Sequence, residues 1–439
     1  MLRILFSLLA LVTVLNGQSK TVYDSPNVDA KRLFLWAKTK YVIRYGHTFK
    51  DTVKVPEGCE LLFDGGSLVG PIVFNETKLS GRVNLKGSSL SGSVSNNLFD
   101  ASWLCHMDGK TDDAKQINEI ISICRHIYFP KGEYRLVSAF NPSKIVSREL
   151  HKSIKSHIGV YQSDVFLEGE KGCCFITSES LGTICIFSKP YNIDNNIKNV
   201  KIQKITFKVI NDGVKFHEFL HTIKTIGVNG LTIENCIFDD FWGDAICLSH
   251  YGDDAKTGER TRNQNVRIVN NQIEGGKHFN NRNGISVING KNILIKGNVI
   301  RNTSRKDMPG GICVEPNNSA YTIDGIKVFD NTFHRIKGNG GAICVVLLRD
   351  NAPAHNIEIK SNSIWNSSCG MTFVIKTNNS SDHFSICDNF IDKETKPYSF
   401  SGGGETHNWK ILRNRFKKKC IQKIPGNIKI KELEVKNLK

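Results

Sequence analysis

Five side chains of the right types for acid–base work fall at related places along a series of short apolar strands: Asp244, Asp307, Glu315, His250 and Arg282. Two carboxyls, one protonated and one ionised, can hydrolyse a glycosidic bond, the first as acid and the second as base or nucleophile. Elimination needs other parts. A cation such as Arg282, Lys306 or Arg349 would neutralise a uronate carboxylate, and a base such as His250 would take the α-proton. Trp242 and Tyr251 add flat faces on which a sugar can stack. Spacing then limits the pairs. Asp244 and Glu315 are two rungs apart and five residues along, which predicts roughly 16–20 Å, against the 5–9.5 Å of a glycosidase pair. Asp244 with Asp307, or His250 with Glu315, comes out nearer, at about 10 Å.

The elements that must hold these residues form a repeat. Eight segments read apolar-x-apolar-x-x-Asn-x-apolar: 200–207, 231–238, 266–273, 293–300, 326–333, 357–364, 384–391 and 409–416. The sixth position is Asn in six of them, namely Asn271, Asn298, Asn331, Asn362, Asn389 and Asn414. Alternation predicts strand, and one Asn per rung predicts a turn whose side chains bond to neighbouring rungs in a ladder. A second strand follows in most rungs, with Ile246, Ile285, Ile312, Ile343 and Met371 as one inward stack. Leu248, Val287, Val314, Val345 and Phe373 form the next. The residues between should face outward, lining a groove: Cys247, Ser286, Cys313, Cys344 and Thr372, then Glu315. Constant strands with variable steps are the mark of a solenoid. The fold expected is all-β, a right-handed parallel β-helix over 99–416, with a short N-terminal capping helix.

Ahead of the repeat, Asp108-Gly109-Lys110-Thr111-Asp112-Asp113 precedes an amphipathic segment with Thr111 as its expected N-cap. Ile127-Tyr128-Phe129-Pro130-Lys131-Gly132-Glu133-Tyr134 follows it. This stretch resembles the start of the pectate-lyase-like (pectin lyase fold) superfamily, whose members carry Gly-Asp-Gly-x-Thr-Asp-Asp and then Phe-Pro-x-Gly-x-Tyr. The resemblance implies the β-helix and leaves lyases, hydrolases, epimerases, tailspikes and binders open. Further on, Gly243-Asp244-Ala245-Ile246-Cys247, Arg282-Asn283-Gly284-Ile285 and Gly311-Ile312-Cys313-Val314-Glu315 are laid out similarly to polygalacturonases, which show Gly-Asp-Asp-Cys, Gly-His-Gly-Ile and Arg-Ile-Lys. Of those functional side chains Asp244 alone is present. Ala245, Asn283, Cys313 and Glu315 stand in for the second Asp, the His, the Arg and the Lys. The resemblance therefore reaches the fold and not that activity.

Upstream, Leu68, Leu79 and Leu90 with Gly70, Gly81 and Gly92 recur every eleven residues, marking 19–98 as a β-rich cap or first narrow rungs. Residues 1–18 read as a signal peptide: Arg3, then an uncharged run too short to span a bilayer, with no lipobox cysteine. A secreted or periplasmic protein is expected, without membrane or nucleic acid as partner. Thirteen cysteines carry no C-x-x-C spacing and sit singly in apolar runs, so they read as buried hydrophobes. Neither metal nor cofactor is expected. The net charge of +17 invites an acidic polysaccharide, but 11 basic residues against two acids fall between Lys410 and Lys439, in a stretch whose end, 417–439, reads as a basic tail. Two functions remain: an exported enzyme cleaving glycosidic bonds by hydrolysis or elimination, and a non-catalytic glycan-binding or adhesin-like β-helix.

Overall fold

The computed structural model describes residues 20–438 apart from short internal stretches, among which 189–195, 211–216, 252–254, 349–351 and 417–427 bear on the text. Residues 1–18 and Arg349 thus lie outside the described residues. The rest is a right-handed parallel β-helix. Each complete rung supplies three strands. Two, such as Val228–Glu234 and Ile237–Asp239, enter a 22-stranded parallel sheet, and the third, such as Ile246–Leu248, enters a nine-stranded one. Both inward stacks occur as expected, in register from Ile246 through Ile285, Ile312 and Ile343 to Met371, all buried. Each such side chain contributes about 1.5–3 kcal/mol by leaving water.

The asparagine ladder is continuous. The amide Nδ2 of Asn271 donates to Oδ1 of Asn298 at 3.0 Å, and the same bond runs on to Asn331, Asn362, Asn389 and Asn414. Each backbone N–H from Asn271 to Asn389 donates to the same oxygen, and each Nδ2 also reaches a strand carbonyl. The sharp turn itself is made one residue earlier. Lys204, Asn235, Asn270, Gly297, Asp330, Ser361, Asp388 and Arg413 all have φ between 53° and 67°. That left-handed conformation aims the next side chain into the stack.

Residues 20–94 form narrower parallel rungs in which Leu68, Leu79 and Leu90 are buried. Gly92 must be glycine: φ is 93°, and a Cβ would lie 1.9 Å from the Phe74 carbonyl oxygen. The capping helix is Ala114–Ile123, and its N-cap residue is Asp113 rather than Thr111. Thr111 instead lies in the strand Asp108–Asp112, donating its hydroxyl to Asp108. Asp113 accepts from the amides of His106 and Met107, and Asp112 from those of Ala114, Val137 and Ser138. The acidic pair thus ties the loop, the helix and the next rung together.

The tail expected after 416 contributes a strand. Lys429–Leu438 pairs in parallel with Glu405–Phe416, so the solenoid runs on beyond the expected boundary. Ile428 with Ile430, then Leu433 with Val435, alternate on either side of a slip at Glu432, where φ is 60°. Twelve cysteines among the described residues are free, and all but Cys174 are buried. No described helix is long and apolar enough to cross a membrane.

Candidate functional site

The outward face of the nine-stranded sheet is not the open groove that alternation implied. Cys247, Ser286, Cys313 and Cys344 point away from the core but are at most 3% exposed. Ile288, Ala320 and Tyr321 pack on Cys247. Polar chemistry gathers at the strand ends, with Asp244 and Arg282 ahead of their strands and Glu315 just after Gly310–Val314.

Asp244 precedes the strand Ile246–Leu248 and has no exposed surface. Its Oδ1 accepts from the Asn283 amide at 3.1 Å. Its Oδ2 lies 3.4 Å from Nη1 of Arg282 and 3.2 Å from Nδ1 of His221. The other end of the same guanidinium, Nη2, lies 3.4 Å from Oε2 of Glu315. Because the nitrogens of one guanidinium are about 2.3 Å apart, the two carboxylates approach within about 9 Å. This corrects the 16–20 Å inferred from backbone offset. That figure counted Cα positions and ignored a long side chain lying between the two strands toward which both acids turn.

The environments of the two acids differ. Burial alone would raise the pKa of Asp244, but the charges of Arg282 and then His221 hold it below the ordinary carboxylate range. Glu315 goes the other way. Burial raises it, Arg282 only partly offsets that, and the negative charges of Asp244 and Glu218 add to the rise. Burial also lowers the pKa of His221 despite Asp244 beside it. The pair thus combines an ionised, inaccessible carboxylate with a more easily protonated one whose side chain is 18% exposed. Asn283, where polygalacturonases have histidine, is fully buried, and it bonds to Ser286 and the Gly310 amide. It is a scaffold residue.

The other expected site residues go elsewhere. Asp307 is exposed and paired with Arg305 on its own loop. His250 packs on the Tyr321 ring, 4.1 Å between centroids, and bonds to its hydroxyl. Trp242 is buried with Val209 and Leu220, and Tyr251 is half-buried against an apolar cluster containing Phe187. Lys306 is exposed beside a depression formed with Arg335 and Lys337.

Sequence reasoning passed over His221, Glu218 and Lys224. They sit on the rung before Asp244, whose strand Ile223–Ile226 pairs with Ile246–Leu248. Lys224 occupies the outward register position held by Cys185 and Cys247 on the neighbouring rungs. A charge breaking a column of small residues was the available signal. His221, Asp244 and Cys247 also bring nitrogen, oxygen and sulfur donors within 4.8 Å of one another. The Asp244 oxygen already faces Arg282, however, and burial pushes the Cys247 thiol pKa well up, so the trio fits a packed polar cluster better than a cation site.

Comparison with known proteins adds little to this geometry. No protein-family model and no curated protein matches the sequence. Among solved structures, the chain is similar to PfbA, a surface adhesin of Streptococcus pneumoniae, at 12% identity and TM-score 0.41, over 90% of this chain and 81% of that one. The catalytic domain of a GH87 alpha-1,3-glucanase in complex with nigerose aligns at 13% identity and TM-score 0.40, over 75% of this chain and 64% of that one. DFA-IIIase from Arthrobacter chlorophenolicus A6 in complex with GF2 aligns at 12% identity and TM-score 0.45, over 78% and 93%. None of the three transfers a residue or a reaction to this chain.

Proposed function

We propose that this is an exported β-helix of the pectate-lyase-like superfamily that hydrolyses a glycosidic bond, with Glu315 as the proton donor. The observation that carries the reading is the Arg282 bridge, which joins two carboxyls whose surroundings push their proton affinities apart. Glu315 protonates the leaving oxygen. Asp244 is sealed from solvent, so it acts as a positioning residue that anchors Arg282 and His221. Glu218, half-buried on the turn before His221, is the second carboxylate in this reading and activates water or attacks the sugar. The opening segment supports the superfamily assignment, since Asp108, Asp112 and Asp113 all hold backbone amides there.

The test is incubation of the mature protein with a panel of polysaccharides, followed by reducing-end and near-ultraviolet assays. New reducing ends without an unsaturated product are expected, and an unsaturated product would replace hydrolysis by elimination. Glu315→Gln should lose about 10²–10⁴-fold in activity, the usual worth of a general acid. In the parent, activity should fall as pH rises through the raised pKa of Glu315, because the acid must carry its proton. A second reading, a non-catalytic glycan binder, is favoured by the complete burial of Asp244, which suits a purely structural ion cluster. Retention on a glycan array without product from any polymer would establish it.

A further inference from the structure

Among the described strands, Cys313 and Cys344 are the only two cysteines that face each other across a register pair. Ser286 separates Cys313 from Cys247, and Thr372 follows Cys344 on the next rung. Neighbouring strands lie about 4.8 Å apart, so the two facing Cα atoms fall within the roughly 4.4–6.8 Å that a disulfide spans. Ile312 with Ile343 and Val314 with Val345 flank the pair in the same register and are buried in the core, so both cysteines leave the sheet on its outward side. The two thiols share a hydrogen bond. Two residues ahead of Cys313, a Cβ on Gly311 would lie 2.0 Å from the Ala342 carbonyl oxygen, so glycine is what lets these two strands come this close.

Cys313 also touches the candidate acid. Its Sγ donates to Oε2 of Glu315 at 3.9 Å, on the same side of the strand. Burial raises the pKa of Glu315 most, and Arg282 opposes it; Asp244 then raises it, the Cys313 thiol lowers it and Glu218 raises it. The thiol is thus a small partner of Arg282 in favouring the ionised carboxylate. A disulfide sulfur has no S–H left to donate.

We propose that Cys313 and Cys344 are a modification site: they close a disulfide between adjacent rungs, which takes a hydrogen-bond donor away from Glu315. The bond forms by two exchanges with a small disulfide such as oxidised glutathione. One cysteine thiolate attacks a glutathione sulfur and releases a glutathione thiolate; the second cysteine thiolate then attacks the protein sulfur of that mixed disulfide and releases the other. The cysteine pair loses two electrons and two protons, and one oxidised glutathione becomes two thiols. In the folded chain the hydrogen bond with Cys344, and then burial, raise the Cys313 thiol well above its ordinary range, so the exchange belongs to folding, before the rungs seal. The pairing itself goes beyond the glycan-cleaving reading. Its effect on Glu315 rests on that reading.

The test starts from the full chain, unfolded in urea, reduced, and refolded with either a glutathione redox mixture or excess reductant. Free thiols are then alkylated and the peptides mapped without reduction. After oxidative refolding, the main cross-linked peptide should hold Cys313 and Cys344 and be lighter by two hydrogens than its separate parts. Cys344→Ser should abolish it, and Cys369→Ser should leave it in place. The link closes a loop of about thirty residues, so the oxidised parent should melt about 4 °C above the reduced one, and Cys344→Ser should close that gap. Alkylated Cys313 and Cys344 after oxidative refolding, or another pairing as the main link, would overturn the proposal. Glycan cleavage by the oxidised parent should persist to higher pH than cleavage by the reduced one, because Glu315 then holds its proton more tightly. Coincident pH profiles would overturn the effect on Glu315. A cross-link without cleavage by either form would retire the hydrolase reading and leave the disulfide standing.

Discussion

The asparagine ladder and the Arg282 cluster are both buried polar networks in the same solenoid, yet they are built on opposite plans. The ladder repeats one neutral side chain on six rungs, with bonds of 2.9–3.0 Å from each amide to the next. The cluster uses a different residue on each of four rungs: His221, Asp244, Arg282 and Glu315. It has ion pairs at 3.4 Å, a His221–Asp244 contact at 3.2 Å and one partly exposed end. The ladder satisfies its amide donors with the next asparagine and a strand carbonyl, so it stabilises without offering chemistry. The cluster holds unlike groups in unlike protonation states, which costs desolvation and is what a reactive site needs. In a repeat protein, the period marks what supports the fold, and the departures from it mark what can act.

That contrast can be broken by measurement. The largest stability loss is expected at Asp244→Asn, which leaves the guanidinium of Arg282 with Glu315 alone; a buried pair broken on one side costs about 3–5 kcal/mol. Urea denaturation should register it as a lower midpoint with unchanged slope. A loss below that of a ladder variant would reverse the ranking of the two networks. Asn331→Ala comes next, at about 2–3 kcal/mol, because the Asn298 donors lose their acceptor inside the core. Glycan cleavage by this variant should match the parent at temperatures where it remains folded.

A pH titration sharpens the same comparison, since the ladder has nothing to titrate. Burial depresses the pKa of His221 in the folded chain, so its contribution is intact above the unfolded value of about 6.5 and is lost as pH falls through the folded one. The denaturation midpoint should therefore drop on acidification through that window, and His221→Asn should remove that part of the slope. A parent midpoint flat from pH 7 to 5 would show that His221 is not held neutral by burial. The smallest effect belongs to the turns. Ser361 has φ of 55°, and Ser361→Asn should gain about 0.5 kcal/mol, because Asn tolerates the left-handed region better. Thermal denaturation should show a rise of about half a degree.

Much of the fold was legible because a solenoid turns periodicity along the chain into position in space. Ile246, Ile285 and Ile312 align in the sequence and align again in the sheet. Asp244, Arg282 and Glu315 could be nominated by their types and their rungs. What alternation could not reveal was the packing of Ala320 and Tyr321 on Cys247, nor could Cα spacing anticipate that Arg282 closes the distance between its two acids. His221 and Lys224 escaped notice because their rung lacks the glycine-led second-strand pattern shared by the others.

By itself, the sequence determined the β-helix, its register, its inward stacks and its asparagine ladder. These follow from local alternation repeated along one chain, where each rung meets only its neighbours. Only the tertiary structure decided which polar side chains meet and which are sealed from water. Those outcomes depend on side-chain reach and on loops folding across rungs, and neither is written in the period.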